Sequence, residues 1–286
     1  MDGIIIINKP RNYTSRDIVN IIGKKFNTKK VGHTGTLDPI AEGVLIITLN
    51  KCTKLSDILT SETKKYIATL KFGELTDTLD ITGNVIKTSD KIPTKEEILN
   101  CLKTFPKEYD QEVPIYSAVK VNGKKLYEYA RNDETVTLPI RKVKIYNLEL
   151  IKYTKEEVTI ETTVSKGTYI RSLIRDLAEK LGTYATMTNL IRTKQGKFTI
   201  EESYTLEQIQ NDDYKIINLE EIFKDYPIIE INKDDIKKIQ NGQMFNNTYN
   251  SKFILFKYQN TLLAVYKINE KDQTKIKPLI LVWFFK

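Results

Sequence analysis

Gly32-His33-Thr34-Gly35-Thr36-Leu37-Asp38-Pro39 leads into the apolar run Val44-Leu45-Ile46-Ile47-Thr48-Leu49, and the organisation of the chain is read outward from this junction. Two glycines allow backbone conformations that other residues resist, and Pro39 fixes the exit. Asp38, standing before a proline, is steered towards an extended backbone. Residues 31–42 read as a Gly- and Pro-punctuated loop, anchored by Val31 on one side and by a buried strand over 44–49 on the other. A carboxylate displayed from so stiff a support suits a nucleophile or a general base. An Asp that merely caps a turn has the same local pattern. The spacing matches neither a Walker loop nor a dinucleotide fingerprint.

Upstream, Gly3-Ile4-Ile5-Ile6-Ile7-Asn8-Lys9-Pro10 reads as a short strand stopped by Pro10. Thr14-Ser15-Arg16-Asp17 then opens a helix with Ile18, Val19, Ile21 and Ile22 on its apolar face. Downstream, residues 66–73 alternate as a strand, and Pro93-Thr94-Lys95-Glu96-Glu97 starts a helix carrying Ile98, Leu99 and Leu102. Residues 143–150 and 157–164 form a strand pair. The spacing of Ile170, Leu173, Ile174, Leu177 and Leu181, with Gly182 beyond them, predicts a helix over 168–182. From about residue 228 the pattern turns to short strands at 254–256, 262–266 and 279–285, a small β-rich unit.

The chain has 286 residues with 45 Lys+Arg, 37 Asp+Glu and a net charge of +8. Residues 1–66 carry 11 basic and 6 acidic side chains, 111–146 carry 7 and 4, and 160–200 carry 7 and 3. Residues 201–235 reverse the sign with 3 basic and 11 acidic, and the tail from 236 returns to 9 basic and 2 acidic. Separated basic segments suit a polyanionic partner, since phosphates release counterions to Lys and Arg. A lysine-rich solvated surface has the same composition. One His, His33, with two distant cysteines, Cys52 and Cys101, excludes a His cluster and a disulfide framework and argues against a zinc site. No apolar window approaches the roughly 18 residues of a membrane span. A reducing cytosol is the expected compartment, and the start shows no export signal.

The quoted loop, with Ala41, Gly43 and Leu45 after it, resembles the signature of the TruB family, bacterial tRNA pseudouridine-55 synthases. Further blocks follow in family order over about residues 3–200. Asn8-Lys9-Pro10 is similar to the opening strand-end motif and Lys65-Tyr66 to the basic-Tyr pair. Thr76-Asp77-Thr78 with Asp80 and Gly83 is similar to a third block. Residues 114–120 and 123–131 resemble the inserted RNA-gripping segment, and Ser165-Lys166-Gly167-Thr168-Tyr169-Ile170-Arg171-Ser172-Leu173 resembles the late motif. The tail resembles, more weakly, a PUA-type RNA-binding domain.

The resemblance implies an α+β pseudouridine synthase fold over residues 1–226, a mixed and largely antiparallel sheet flanked by helices. An RNA-binding insertion at about 111–146 and a PUA-like domain over 227–286 go with it. It implies that Asp38 is the essential carboxylate, detaching uracil by attack on the base, attack on the sugar or removal of a sugar proton. Arg171 would pair with Asp38 and favour its ionised form. Tyr66 would stack on an extracted uracil, and Tyr169 and Leu190 would complete the pocket. His33 would fill the space that the flipped base leaves in the RNA. Lys120, Lys124, Lys125 and Arg131, among Tyr116, Tyr127 and Tyr129, would grip the RNA. The implied partner is the T-arm of tRNA, with no membrane, no metal and no cofactor, and the chain acting as a monomer. The competing class is an RNA-binding or RNA-folding protein, which needs the basic segments but not Asp38. A glycosidase would need a second carboxylate, nominally Asp77 or Asp80, whose Thr-Asp-Thr setting gives no reason for a raised proton affinity.

Overall fold

A computed structural model describes residues 2–282. Its main sheet runs, in spatial order, Gly3–Lys9, Ala41–Leu49, Ala185–Gln195, Lys64–Phe72, Val158–Val164, Ile140–Tyr153 and Glu108–Glu112. The pairings are antiparallel except one, where residues 190–192 run parallel to 41–43. The four consecutive isoleucines of the first strand are buried on both faces, as an alternating strand requires when each face is covered. Ile5 and Ile7 join the core under the helices Ser15–Lys25 and Ile170–Lys180. Ile4 and Ile6 join a second core with Phe253, Leu255 and Val265 of the tail.

The helix starts follow local chemistry. Thr14 and Thr94 each cap a helix reciprocally with the acid three residues on, Asp17 and Glu97. The late helix starts at Ile170 rather than 168, because Tyr169 still has extended backbone.

Two expectations need correction. Residues 31–42 are not all loop: Val31–His33 is a strand paired with residues 47–49, and the next strand begins at Ala41, not Val44. Only three residues long and centred on Gly32, the first of these carries no hydrophobic period to reveal it. The basic segment at 111–146 also does not leave the sheet as a whole. Residues 108–112 and 140–144 pair within the sheet, so the projecting part spans 113–139. It holds a hairpin, Lys120–Val121 with Lys124–Lys125, turned through Asn122 and Gly123 at positive φ, and the helix Leu126–Arg131.

The tail forms a second sheet ordered Ile228–Glu230, Phe253–Tyr258, Thr261–Asn269, Asp272–Leu281 and Phe245–Asn246. The strand read over 279–285 ends at Leu281 among the described residues, and its last part lies outside them. The acidic stretch before the tail lies against the free edge of the first strand. Ile217 exchanges backbone hydrogen bonds with Ile4, and the Tyr204 carbonyl accepts one from the Asn8 N–H. An otherwise open sheet edge is thereby closed.

Candidate active site

Asp38 sits in the loop between Val31–His33 and Ala41–Leu49, and the loop backbone is held by buried side chains from several elements. Ser15 of the first helix accepts a hydrogen bond from the Leu37 N–H at 2.9 Å. Arg192, only 1% exposed, donates to the Val44 carbonyl at 2.6 Å and to the Gly35 carbonyl at 3.1 Å. Gln195 donates to the Thr34 carbonyl at 2.8 Å and to the Leu59 carbonyl at 2.9 Å. Lys9, wholly buried, donates to the carbonyls of Pro10 at 2.9 Å, Tyr13 at 2.6 Å and Pro39 at 3.4 Å. Burial lowers its pKa to about 8.

Arg171 meets Asp38 edge-on. Its Nε lies 2.9 Å from Oδ2, and its terminal nitrogen donates to Oδ1 at 3.1 Å, a two-point pair that only a guanidinium can make. The remaining donors go to the carbonyls of Thr78 at 2.8 Å and Tyr116 at 3.0 Å. Asp80 lies on the far side, with Oδ2 at 3.9 Å from the guanidinium. Its Oδ1 accepts from the Thr78 hydroxyl at 2.9 Å and from the Thr82 N–H at 3.0 Å. Arg171 is thus fixed by two carboxylates and two carbonyls, whereas Arg175, one turn on, pairs near the surface with Glu112 and Asp176.

A cavity of about 240 Å³ opens beside this pair. Tyr66, Tyr169 and Leu190 form apolar walls around Asp38, and Lys64 and Arg192 face it from the side of Gly35. The volume is at the small end for ligand sites, suited to a single base. The Asp38 side chain keeps 33% of its surface open, against 5% for Arg171. Burial pushes the Asp38 carboxyl above the usual carboxylate range; Asp80 adds to the push and Arg171 opposes it. The expected pull of the guanidinium is present but outweighed by loss of solvent. Lys64 donates to the carbonyls of Thr60 at 2.8 Å and Glu62 at 3.0 Å, and burial lowers its pKa to about 8.

The other sequence-predicted residues lie elsewhere. His33 is not in the cavity wall; it pairs with Ile47, half-buried, and burial, then Arg192, lowers its proton affinity. Lys120, Lys124, Lys125 and Arg131 lie in the projecting segment. There Lys124 pairs with Glu134 at 2.6 Å and stands 4.7 Å over the Tyr129 ring. Lys125 and Arg131 each stand 5.3 Å from the Tyr127 ring. The segment's root reaches the site, since Tyr116 receives Arg171 and Ser117 and Ala118 line the cavity. Lys64 and Arg192 were not singled out from sequence for this site, and Asp80 was named only as the nominal second carboxylate that a glycosidase would need. Asp80 does lie in the Thr-Asp-Thr block, which was the one available signal.

Residues 23–170 match the TruB family pseudouridylate synthase N-terminal domain, and residues 171–224 match the tRNA pseudouridylate synthase B C-terminal domain. A tRNA pseudouridine synthase B of Caldanaerobacter subterraneus is 42% identical over 281 residues, covering 97% of this chain and 98% of that one. One from Clostridium tetani is 45% identical over 245 residues, with 85% of each chain covered. Among solved structures, an H/ACA RNP bound to a substrate RNA containing 2′-deoxyuridine aligns with a TM-score of 0.68 at 23% identity. It covers 99% of this chain and 85% of that one. A Cbf5-Nop10-Gar1 complex aligns with the same TM-score of 0.68 at 25% identity, covering 99% and 84%. The α+β architecture is therefore that of pseudouridine synthases. With family models matching residues 23–170 and 171–224 and relatives of this identity along nearly its whole length, the chain belongs to the TruB family of pseudouridylate synthases, isomerases of uridine in RNA.

Proposed function

We propose that this enzyme converts uridine 55 in the T-loop of tRNA to pseudouridine and that Asp38 is the carboxylate on which the reaction depends. The observation that carries the reading is the two-point Asp38–Arg171 pair beside a one-base cavity walled by Tyr66, Tyr169 and Leu190. The rearrangement breaks the bond from N1 to the ribose and forms one from C5. The C5 proton leaves and N1 gains one, so atoms and electrons balance without an oxidant. Asp38 initiates detachment, Arg171 holds the carboxylate in one orientation, and the ring of Tyr66 faces the base.

A uridine in a folded loop has to swing out to reach such a pocket, and His33 takes its place in the RNA. Lys120, Lys124, Lys125 and Arg131 hold the T-arm, with residues 1–226 as the catalytic unit and 227–286 as a PUA-like RNA-binding unit. The chain works as a cytoplasmic monomer. The basic hairpin, its rings already stacked against cations, supports this division of labour.

The test is an unmodified tRNA transcript incubated with the wild type and with Asp38→Asn, followed by mapping of pseudouridine. The wild type is expected to modify uridine 55 and the variant none. Equal product from both would overturn the role of Asp38, and modification at another uridine would overturn the assigned position. Binding without product from the wild type would favour a protein that only folds RNA.

A further inference from the structure

The first helix and the turn after it form an open groove of about 680 Å³ on the outer side of the signature loop. Arg16, Asn20 and Lys24 line it from one helical face at four-residue spacing, and Asn27, Thr28 and Lys29 line it from the turn. No carboxylate lines it. Arg16, Lys24 and Lys29 are exposed, and among the described residues none of them has an ion-pair partner.

This contrasts with the neighbouring Lys25 and with several cations elsewhere in the chain. Lys25, on the same helix but outside the groove, pairs with Asp212 of the acidic stretch at 2.7 Å. In the main-sheet strand Ile140–Tyr153 Lys142 and Lys144 share Glu108, and in the projecting segment Lys124 has Glu134. The acidic stretch thus neutralises the helix beside the groove and leaves the groove itself uncompensated. Unpaired cations interleaved with the amides of Asn20 and Asn27 are the donors that phosphate and ribose oxygens take, whereas the Thr28 hydroxyl already donates to Asn50 at 2.6 Å.

The groove also adjoins the site. Ser15, next to Arg16, holds the Leu37 N–H, and Val31 at the groove's end is two residues before His33. Arg16 stands near enough to His33 for its charge to depress the imidazole's proton affinity. From Arg16 to Lys24 the helix rises about 12 Å, more than one phosphate spacing along a strand.

We propose that this groove is a second RNA contact, binding the sugar–phosphate backbone of the strand that runs on past His33 from the uridine held in the cavity. It rests on the RNA substrate proposed above and assigns a surface outside cavity, insertion and tail. Arg16, Lys24 and Lys29 neutralise phosphates there, and Asn20 and Asn27 donate to phosphate or ribose oxygens.

The experiment compares tRNA binding by the full chain, by the triple variant R16Q/K24Q/K29Q and by a control, K95Q/K103Q/K155Q, with the same change in net charge. The groove variant is expected to bind about tenfold or more weakly at low salt, and its log-affinity against log-salt slope should be shallower by about 2. The control should follow the wild type. In parallel, acetylation of wild-type Lys24 and Lys29 should be suppressed by tRNA, with Lys95 unaffected, a readout that needs no variant. Groove and control variants with the same affinity and slope, or Lys24 and Lys29 equally reactive with and without tRNA, would overturn the proposal. Pseudouridine formation by the wild type in the same samples reports separately on the proposed reaction, so either reading can fail alone.

Discussion

Arg171 is held by partners fixed on other elements: it donates to Asp38 of the loop, to Thr78 of one turn and to Tyr116 of the insertion, and Asp80 of that turn faces it at ion-pair distance. A buried guanidinium with this much compensation is stable where it stands, while removing one partner strands charge. The proton affinity of Asp38 is raised on folding, so the carboxyl favours the fold in its protonated form. That contribution is present below the unfolded value of about 3.9 and is lost as pH rises through the folded value. The proposed reaction uses the ionised form, so the acid limb of its rate lies above the ordinary carboxylate range. Asp80 is one cause of the rise. Asp80→Asn should therefore move the acid limb of the single-turnover rate to lower pH. It should also lower the plateau by about tenfold or more, because Arg171 loses a positioning charge. A limb that stays in place, or moves up, would contradict this account of the Asp38 environment. Asp38 and Arg171 were legible because each sits in a dense motif. Asp80 also sits in a quoted block, but its role beside them was not legible, because its burial against a guanidinium 91 positions away, Arg171, leaves no mark on its neighbours in sequence.

Strands and helices with a clear period were legible; those whose buried residues are polar were not. Ala185–Gln195 is central to the sheet, yet it passed unread because Thr186, Arg192 and Gln195 break its apolar pattern. Each is buried with a hydrogen-bond partner from another element, so the strand is stabilised by contacts that hydrophobic periodicity does not register. Gly43 shows how closely that strand approaches. It pairs with Lys9 on one side and Arg192 on the other, at φ +97°, and a Cβ there would run into the Arg192 carbonyl. Gly43→Ala is expected to cost more than about 2 kcal/mol, through backbone strain and the clash together. Gly123, at φ +82° in the insertion hairpin, has nothing within 4 Å of such a Cβ. Gly123→Ala should cost only about 1 kcal/mol, the conformational part alone. Urea midpoints for the two variants, at unchanged slope, provide the measurement. Equal losses would show that the close approach of the strands at Gly43 contributes nothing.

At the scale of the whole molecule, composition showed the alternation of charge but not what the acidic stretch does. Its counter-ions come from both flanking bodies: Asp212 pairs with Lys25 of the first helix and Glu220 with Lys257 of the tail at 2.6 Å. Its apolar residues Leu219, Ile222 and Phe223 lie in the core shared with Ile4, Ile6 and Ile46 of the main sheet and with Phe253, Leu255 and Ile280 of the tail. The stretch is therefore a wedge joining the two units, and the tail covers one face of the catalytic sheet. Each of these tail side chains contributes roughly 1.5–3 kcal/mol when buried. Uncovering several at once is comparable with the whole stability of an ordinary domain, about 5–15 kcal/mol. A chain cut after residue 226 should then melt well below the full-length protein or aggregate, and the full chain should unfold in one cooperative transition. Differential scanning calorimetry of both distinguishes the cases. Two separate transitions in the full chain, with the first 226 residues melting at an unchanged temperature, would mean that the tail is an independent appendage and that the shared core adds nothing to the catalytic body.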